Sequence, residues 1–408
     1  MNISNSIVFF GPELEPHTCE LFSVEDGIIS KIELGDPIMQ IEEGALVLIP
    51  GLYNSHTHMG DSILPDGATG MTLEQGFFRP KGYKYRELAK APRDEHLKNI
   101  CAHLRYMART GTVGHIDFRE QGVYGSELLR EASEMTGVNS IILGQFNELP
   151  FTSEELDQNS KELTENGISE LEKLLGIADG FSESTMNDLT DPAWSRVREL
   201  TNKAGKLRAI HCLENEGYRN ESLRIAGRGD LIRAIELFAP HLIIHLTVAD
   251  PDEIRLLKEN KVNGVLNPRA NGNLGLPIPP VRALLDAGIN LMLGTDNGLL
   301  NSPNMFAELD YTYKITKSQY GDAISPDPLA ILKMATSNVR SALNDAYPVG
   351  GYLAEGMPAD FCVLNFHQPH LRRSRHLPAS VTTRVTPEDV LATYRSGNSI
   401  WQSPEFPP

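Results

Sequence analysis

ALVLIPGLYNSHTH, residues 45–58, joins an apolar run to two histidines one residue apart, His56 and His58. Side chains alternate between the two faces of a β-strand, so these histidines point the same way. The chain has twelve histidines in 408 residues, and an H-x-H pair is therefore weak as a motif by itself. In its context, however, the stretch predicts a buried strand that ends in two neighbouring imidazoles.

Short apolar runs of the same kind recur along the chain, with helical patterns between them. The helical pattern is clearest in residues 93–110, where apolar side chains are spaced three to four residues apart. About eight strand–helix units over roughly 250 residues favour a (β/α)8 barrel over a doubly wound open sheet. The predicted strands after the first lie at 111–118, 138–146, 174–182, 206–214, 241–248, 261–268 and 290–297.

The two ends of the chain have a different pattern. Polar and apolar residues alternate on both sides of Glu25-Asp26-Gly27, which is typical of a β-hairpin. A similar strand-rich pattern returns at 351–366. We therefore expect two domains, a small β-sandwich built from residues 1–50 and 346–408, and a barrel over residues 51–345.

The net charge, the hydropathy pattern and the cysteine content argue against several classes of protein. There are 37 Lys and Arg against 54 Asp and Glu, a net charge of −17, which argues against nucleic-acid and anionic-membrane partners. No apolar run is long enough for a membrane helix, and the four cysteines form no C-x-x-C motif. We expect a cytoplasmic protein that acts on a small molecule. The basic cluster LRRSRH, residues 371–376, is interpreted as a solvated loop.

Metal-binding side chains follow several of the predicted strands. His211 and Glu214 lie at the end of the fifth strand, His245 on the sixth and Asp296 on the eighth. Because strand carboxyl ends meet at one mouth of a (β/α)8 barrel, we expect these groups to converge with the first two histidines. Imidazole nitrogen and carboxylate oxygen are suitable ligands for zinc or iron.

Taken together, the motifs resemble the amidohydrolase superfamily, within it the deaminase branch related to cytosine, guanine and S-adenosylhomocysteine deaminases and to triazine hydrolases. The resemblance is carried by G-x-x-N-S-H-T-H (51–58), H-C-L-E (211–214), N-P-R-A-N-G-N-L-G (267–275), L-G-T-D-N (293–297), M-A-T-S-N-V-R-S-A-L-N (334–344) and G-Y-L-A-E-G-M-P-A-D (351–360).

This resemblance implies a ligand set and a number of metal ions. His56, His58, His211 and Asp296 correspond to the ligands of a divalent ion, with zinc preferred and iron as the alternative. Binuclear members carry a bridging lysine at the end of strand four, whereas residues 176–188 contain no lysine. A single ion is therefore expected.

The resemblance also implies the chemistry. His245 would orient or deprotonate the attacking water, Asp296 would shuttle a proton, and Glu214 would protonate a ring nitrogen, so that an aminated heterocycle loses ammonia. Purines, pterins, pyrimidines and nucleosides all fit this description. The alternatives are a cyclic-amide hydrolase resembling imidazolonepropionase, a triazine dechlorinase and a non-catalytic scaffold. Members of this branch are often homodimers or larger oligomers, and we expect the same here.

Candidate substrate contacts lie on the loops. Asp61 belongs to an unusually long connection after strand one, and Arg269 and Asn271 follow strand seven. Asn271 also fits a simple turn, and Glu214 also fits a cap of the next helix. His115 is interpreted as structural, and Glu183 is only a weak candidate for a metal bridge.

Overall fold

The strands form two separate sheets in the computed structural model, which describes residues 1–343, 347 and 349–406. The strands are β1 (Asn2–Phe10), β2 (Glu15–Glu25), β3 (Ile28–Pro37), β4 (Leu46–Pro50), β5 (Leu52–His58), β6 (Thr112–Arg119), β7 (Asn139–Gly144), β8 (Gly180–Phe181), β9 (Leu207–Cys212), β10 (Leu242–His245), β11 (Asn263–Leu266), β12 (Leu291–Leu293), β13 (Asp296–Asn297), β14 (Phe361–Asn365), β15 (Val390–Arg395) and β16 (Asn398–Gln402).

Helices connect and cover these strands. They are α1 (Leu73–Phe77), α2 (Tyr83–Leu88), α3 (Arg93–Arg109), α4 (Gly122–Thr136), α5 (Ser153–Gln158), α6 (Glu165–Ile177), α7 (Asp191–Lys203), α8 (Glu216–Ala226), α9 (Asp230–Arg233), α10 (Pro251–Glu259), α11 (Pro268–Leu274), α12 (Val281–Asp286), α13 (Met305–Tyr320), α14 (Pro328–Lys333), α15 (Ser337–Leu343) and α16 (Leu377–Arg384). No helix within the described ranges is both long and apolar enough to cross a membrane.

The larger sheet is parallel and closes on itself. It runs from β5 through β12 in chain order, and β13 then pairs with β5, with Asp296 opposite Thr57. Strands β12 and β13 are two segments of one interrupted strand, the first paired with β11 and the second with β5. The predicted (β/α)8 barrel is confirmed.

Both faces of the barrel strands are buried, which explains their continuous apolar sequence. Ile141 and Leu143 of β7 lie in the same interior cluster as Leu242 and Ile244 of β10. Ile142, which points the other way, belongs to the cluster between the strands and the surrounding helices. The alternation along each strand therefore separates two layers of core.

The fourth barrel strand differs from its predicted limits. Residues 174–182 were expected to be extended, but 174–177 complete α6 and only β8 pairs in the sheet. Leu171, Leu174 and Leu175 are buried at helical spacing, so the apolar run belongs to an amphipathic helix. The helix predicted at 93–110 is confirmed as α3.

The chain termini build the second sheet, as expected. Its seven strands lie in the order β16-β15-β14-β4-β1-β2-β3, so the C-terminal strand β14 pairs beside β4. The sheet folds over itself, which brings the rings of Phe22 and Phe361 to 5.1 Å. Asp26 and Gly27 both have positive φ, 49° and 79°, in the tight β2–β3 turn.

Two interpretations concern the C-terminal region. The expected domain boundary between residues 345 and 346 lies outside the described residues and stays a prediction. In the basic cluster 371–376, the arginines are exposed and Arg375 pairs with Glu42, whereas Leu371 and Ser374 are buried. The cluster is thus a surface segment anchored by its two non-basic residues.

Candidate metal centre

The carboxyl ends of four barrel strands bring five side chains together. His56 and His58 end β5, His211 lies on β9, His245 ends β10 and Asp296 begins β13. Two overlapping groups, His56–His58–His211 and His56–His245–Asp296, each have ligand atoms within 4.8 Å of one another. The Nε2 atoms of His56 and His58 lie 3.2 and 3.6 Å from Oδ1 of Asp296. The predicted ligand set is therefore assembled in one buried cluster.

Two of these residues have an unusual backbone. His245 has φ of 79° and Asp296 has φ of 65°, in the left-handed region that side chains other than glycine rarely adopt. Such strain persists only where the surrounding structure imposes it, and it is concentrated at functional sites. Both residues are turned inward at the point where their strands end.

Hydrogen bonds fix the outer nitrogens of three histidines. His58 Nδ1 donates to Glu120 Oε1 at 2.7 Å, and His211 Nδ1 donates to the Glu183 carbonyl at 2.9 Å. His245 Nδ1 donates to the Asn267 side-chain oxygen at 3.2 Å when that amide is oriented to satisfy its neighbours. Each Nε2 lone pair is then available to a metal, which is how second-shell partners orient ligating histidines.

The environment of His56 indicates that a metal ion fits this cluster. His56 is fully buried, and neither ring nitrogen has a hydrogen-bond partner within the described part of the chain. Burying such a group without a partner is costly, and a divalent ion would satisfy it. Burial holds the pKa of His56 and of His211 well below the usual value, and lowers that of His245 to about 3. Neutral imidazoles are the form that binds a metal.

A small cavity of about 40 Å³ lies against this cluster. Polar and aromatic side chains and two leucines line it, namely His58, Leu73, Phe77, Lys84, Tyr85, Ser184, His211, Glu214, Tyr218, His245, Leu274, Asp296 and Asn297. The predicted catalytic residues Glu214, His245 and Asp296 are thus all in its wall.

Glu214 faces the cavity beside His245. Its Oε1 lies 3.9 Å from His245 Nε2. Burial, reinforced by the charge of Asp296, raises the pKa of Glu214 to about 8. The cap of α8 is Asn215, whose side chain accepts from the Tyr218 amide, so Glu214 is not needed for capping. At neutral pH Glu214 is therefore a carboxylic acid that can donate a proton.

The three predicted substrate contacts do not line this cavity. Asp61 is buried, accepts from the Asn297 side chain at 2.6 Å and from the Leu299 amide at 3.0 Å, and pairs with Lys84. Its carboxylate supports the chain around β13, and its expected contact with the substrate stays a prediction.

Arg269 and Asn271 lie on α11, the helix that also supplies Leu274 to the cavity wall. Arg269 Nη1 donates to the Ser302 carbonyl at 3.3 Å and lies 3.7 Å from Glu308. The Asn271 amide donates to Thr247 Oγ1 at 2.7 Å and to the Pro277 carbonyl at 2.8 Å. Both side chains contact neighbouring loops, and their contacts with the substrate stay predictions.

Sequence reasoning missed Glu120 and Lys84. Glu120 directly follows β6, so the strand-end argument that identified the histidines would have found it. Lys84 lies on α2 in the connection after β5, and its ammonium pairs with Glu120 and, at 3.2 Å, with Asp61. The local sequence carries no signal for Lys84, because its partners come from distant parts of the chain.

Glu183 and His115, the other two residues considered in the sequence analysis, are both buried among structural partners. Glu183 is buried and pairs with Arg79 at 2.5 Å, and it does not belong to either metal-binding group. Burial raises its pKa to about 8. His115 bonds to Thr57 Oγ1 at 2.8 Å and to Ser140 Oγ at 2.6 Å, which makes it a structural residue of the barrel interior.

Comparison with known proteins agrees with this geometry. A model of the amidohydrolase family matches residues 47–400. A protein of Methanothermobacter thermautotrophicus, provisionally named an aminohydrolase, is 35% identical over 364 residues, which cover 89% of this chain and 90% of that protein. A 5-methylthioadenosine/S-adenosylhomocysteine deaminase of Caldanaerobacter subterraneus subsp. tengcongensis is 25% identical over 379 residues, covering 90% and 84%.

A solved structure shows the same fold. It is an adenosine deaminase from Xanthomonas campestris with bound zinc, which superposes with a TM-score of 0.82 at 19% identity and covers 98% of this chain and 92% of its own. The family match spans most of the chain, including every residue of the metal-binding cluster. The chain therefore belongs to the amidohydrolase family.

Proposed function

We propose that the protein is a metal-dependent aminohydrolase that removes the amino group of a nitrogen heterocycle and releases ammonia. The observation that carries this proposal is the position of Glu214, a buried carboxylic acid in the wall of the cavity, 3.9 Å from His245 and beside the metal-binding cluster. A proton donor beside metal-binding imidazoles is what this hydrolysis requires.

We assign His56, His58, His211 and Asp296 as ligands of a single divalent ion, zinc in the first instance and iron as the alternative. When bound, such an ion lowers the pKa of water toward neutrality and makes a hydroxide nucleophile available near pH 7. The unpartnered nitrogens of His56 support this assignment. So does the absence of any lysine in residues 176–188.

The side chains around the cavity would handle the protons. Glu214, whose pKa is about 8, is protonated at neutral pH and would donate to a ring nitrogen next to the carbon under attack. His245 stays neutral, since its pKa is about 3, and would hold the attacking water through its free nitrogen. Asp296 would take the proton lost by the attacking water and carry it to the departing amino group. The remaining hydroxyl proton would return to Glu214, so that the ring carbon becomes a carbonyl and ammonia leaves.

The substrate class follows from the relatives and the cavity wall. One relative is named a deaminase of 5-methylthioadenosine and S-adenosylhomocysteine. Phe77, Tyr85 and Tyr218 give the cavity aromatic surfaces on which a flat heterocycle can stack. We therefore place adenosine derivatives first in a screen that also includes guanine, pterins and cytosine.

The decisive experiment combines metal analysis with an ammonia screen. Elemental mass spectrometry of the purified protein should find about one zinc or iron ion per chain, and one of the heterocycles should release ammonia. Two ions per chain would mean that a bridging ligand exists and would redirect the screen to cyclic amides. Release of a carboxylate or of chloride without ammonia would replace deamination by cyclic-amide hydrolysis or dechlorination.

A protein that retains no metal after reconstitution would be a scaffold and not an enzyme. Two finer parts of the proposal, a homodimeric or larger assembly and a cytoplasmic location, need separate tests. Light scattering measures the first, and cell fractionation the second.

A further inference from the structure

The connection between β5 and α3, residues 59–92, buries two cations at the barrel mouth. The side chains of Lys84 and Arg79 are only 3% and 5% exposed. A cation is removed from water at a high cost unless carboxylates and hydrogen bonds compensate it. The function of these two buried cations can therefore be inferred from the residues with which they pair.

Lys84 is one contact away from a candidate ligand. Its ammonium pairs with Glu120 Oε1, and the same oxygen accepts the Nδ1 hydrogen of His58 at 2.7 Å. Asp61, 3.2 Å from Lys84, is a second anion for this cation. Arg119, 3.2 Å from Glu120 Oε2, holds the other end of that carboxylate. The orientation of His58 thus depends on a carboxylate that is fixed from both ends.

Arg79 is linked less directly to a second candidate ligand, His211, because the two contact different groups of Glu183. Its guanidinium pairs with the Glu183 side chain at 2.5 Å and donates to the Phe146 carbonyl at 2.7 Å. The Glu183 backbone carbonyl accepts the Nδ1 hydrogen of His211 at 2.9 Å. Both cations therefore contact residues that orient metal-binding histidines.

We propose that Lys84 and Arg79 are positioning residues, through which the connection 59–92 holds His58 and His211 in the geometry that binds the metal. The inference rests on the metal-dependent function proposed above. The same connection supplies Leu73, Phe77 and Tyr85 to the cavity wall. Docking of the connection and metal binding are consequently one coupled event, and by linkage each strengthens the other.

The test is the metal affinity of variants, measured by zinc competition with a chromophoric chelator. Lys84→Met removes the cation and should weaken zinc binding by about 10- to 100-fold, the usual effect of losing a partner of a metal ligand. Lys90→Met is the matched control, because Lys90 lies in the same connection but is 68% exposed and pairs with Glu87 at the surface. It should bind zinc as tightly as the wild type.

A double variant distinguishes positioning from a general loss of structure. Glu120→Gln keeps an oxygen for His58 but removes the charge that Lys84 compensates. If Lys84 acts through Glu120, the combined variant should lose less affinity than the product of the two single losses. Affinity losses that simply multiply, or a folded Lys84→Met protein with wild-type affinity, would overturn the proposal.

Hydrogen exchange of the wild-type protein gives an answer even if Lys84→Met does not fold. Zinc should slow exchange of the backbone amides in α1 and α2, and no change there on zinc binding would refute the coupling. The outcomes separate this inference from the proposed function. Zinc binding with the expected variant losses, but without ammonia release from any heterocycle, would contradict only the deaminase assignment.

Discussion

The Nε2 atom of His56 lies 3.2 Å from Oδ1 of Asp296, a contact between the first and the last strands of the barrel. It exists because β13 pairs with β5 and closes the sheet. Gly294, just before β13, leaves the space for it. A Cβ at that position would lie 2.5 Å from the His56 Cβ and 2.6 Å from the end of the Asn267 side-chain amide. Barrel closure and the metal centre therefore share this one glycine.

Gly294→Ala should consequently damage the metal centre. The added methyl group would clash with both His56 and Asn267, and Asn267 holds His245. We expect a folded but destabilised protein with zinc affinity reduced at least about tenfold. Gly176→Ala is the control, since a Cβ there, in α6, meets nothing within 4 Å. That variant should be as stable as the wild type or up to about 1 kcal/mol more stable, with unchanged zinc binding.

Substitution of two histidines should separate ligation from catalysis. His56→Ala should abolish metal binding and turnover together, because His56 belongs to both metal-binding groups. His245→Asn should keep the metal and lose turnover, if its role is to hold the attacking water. Metal content and ammonia release are measured on both proteins. Metal loss in His245→Asn would make His245 a ligand, as its place in the second metal-binding group allows.

Glu214→Gln tests the proton donor. Glutamine keeps the shape of the side chain but cannot donate a carboxylic-acid proton to the ring. The rate of deamination should fall about 10²- to 10⁴-fold, the usual contribution of a general acid, while zinc content stays at the wild-type level. Full activity in this variant would show that Glu214 is not the proton donor. Its neighbour His245 would then be the next candidate.

Glu308 should make stability depend on pH. Burial raises its pKa from 4.5 to about 7. Between these values the folded protein holds a proton that the unfolded chain releases, so the free energy of unfolding falls as the pH rises. Glu308→Gln resembles the protonated form and lacks this effect. Urea unfolding at about pH 5 and about pH 8 should therefore show a larger loss for the wild type than for the variant. Equal losses would contradict the assignment.

The barrel and the grouping of its candidate ligands were accessible from the sequence because both follow from local periodicity. Alternating side chains determine which face each strand residue occupies, and parallel strands all end at the same mouth. His56, His58, His211, His245 and Asp296 could thus be grouped before any contact was known. The predicted limits of the fourth strand were wrong because a short apolar run is compatible with the end of a helix as well as with a strand.

Only the tertiary structure decided the roles of Asp61, Lys84, Glu120 and Glu183. Each is a charged residue whose partner lies far away in the sequence, and whether it faces the ligand or supports the site depends on which partner reaches it. The local sequence pattern does not predict such pairings. The free-energy cost of burying a charge is compensated only when an opposite charge from another element lies beside it. The sequence therefore determined the strands and the side chains at their ends, and long-range ion pairing determined how the connection 59–92 closes over them.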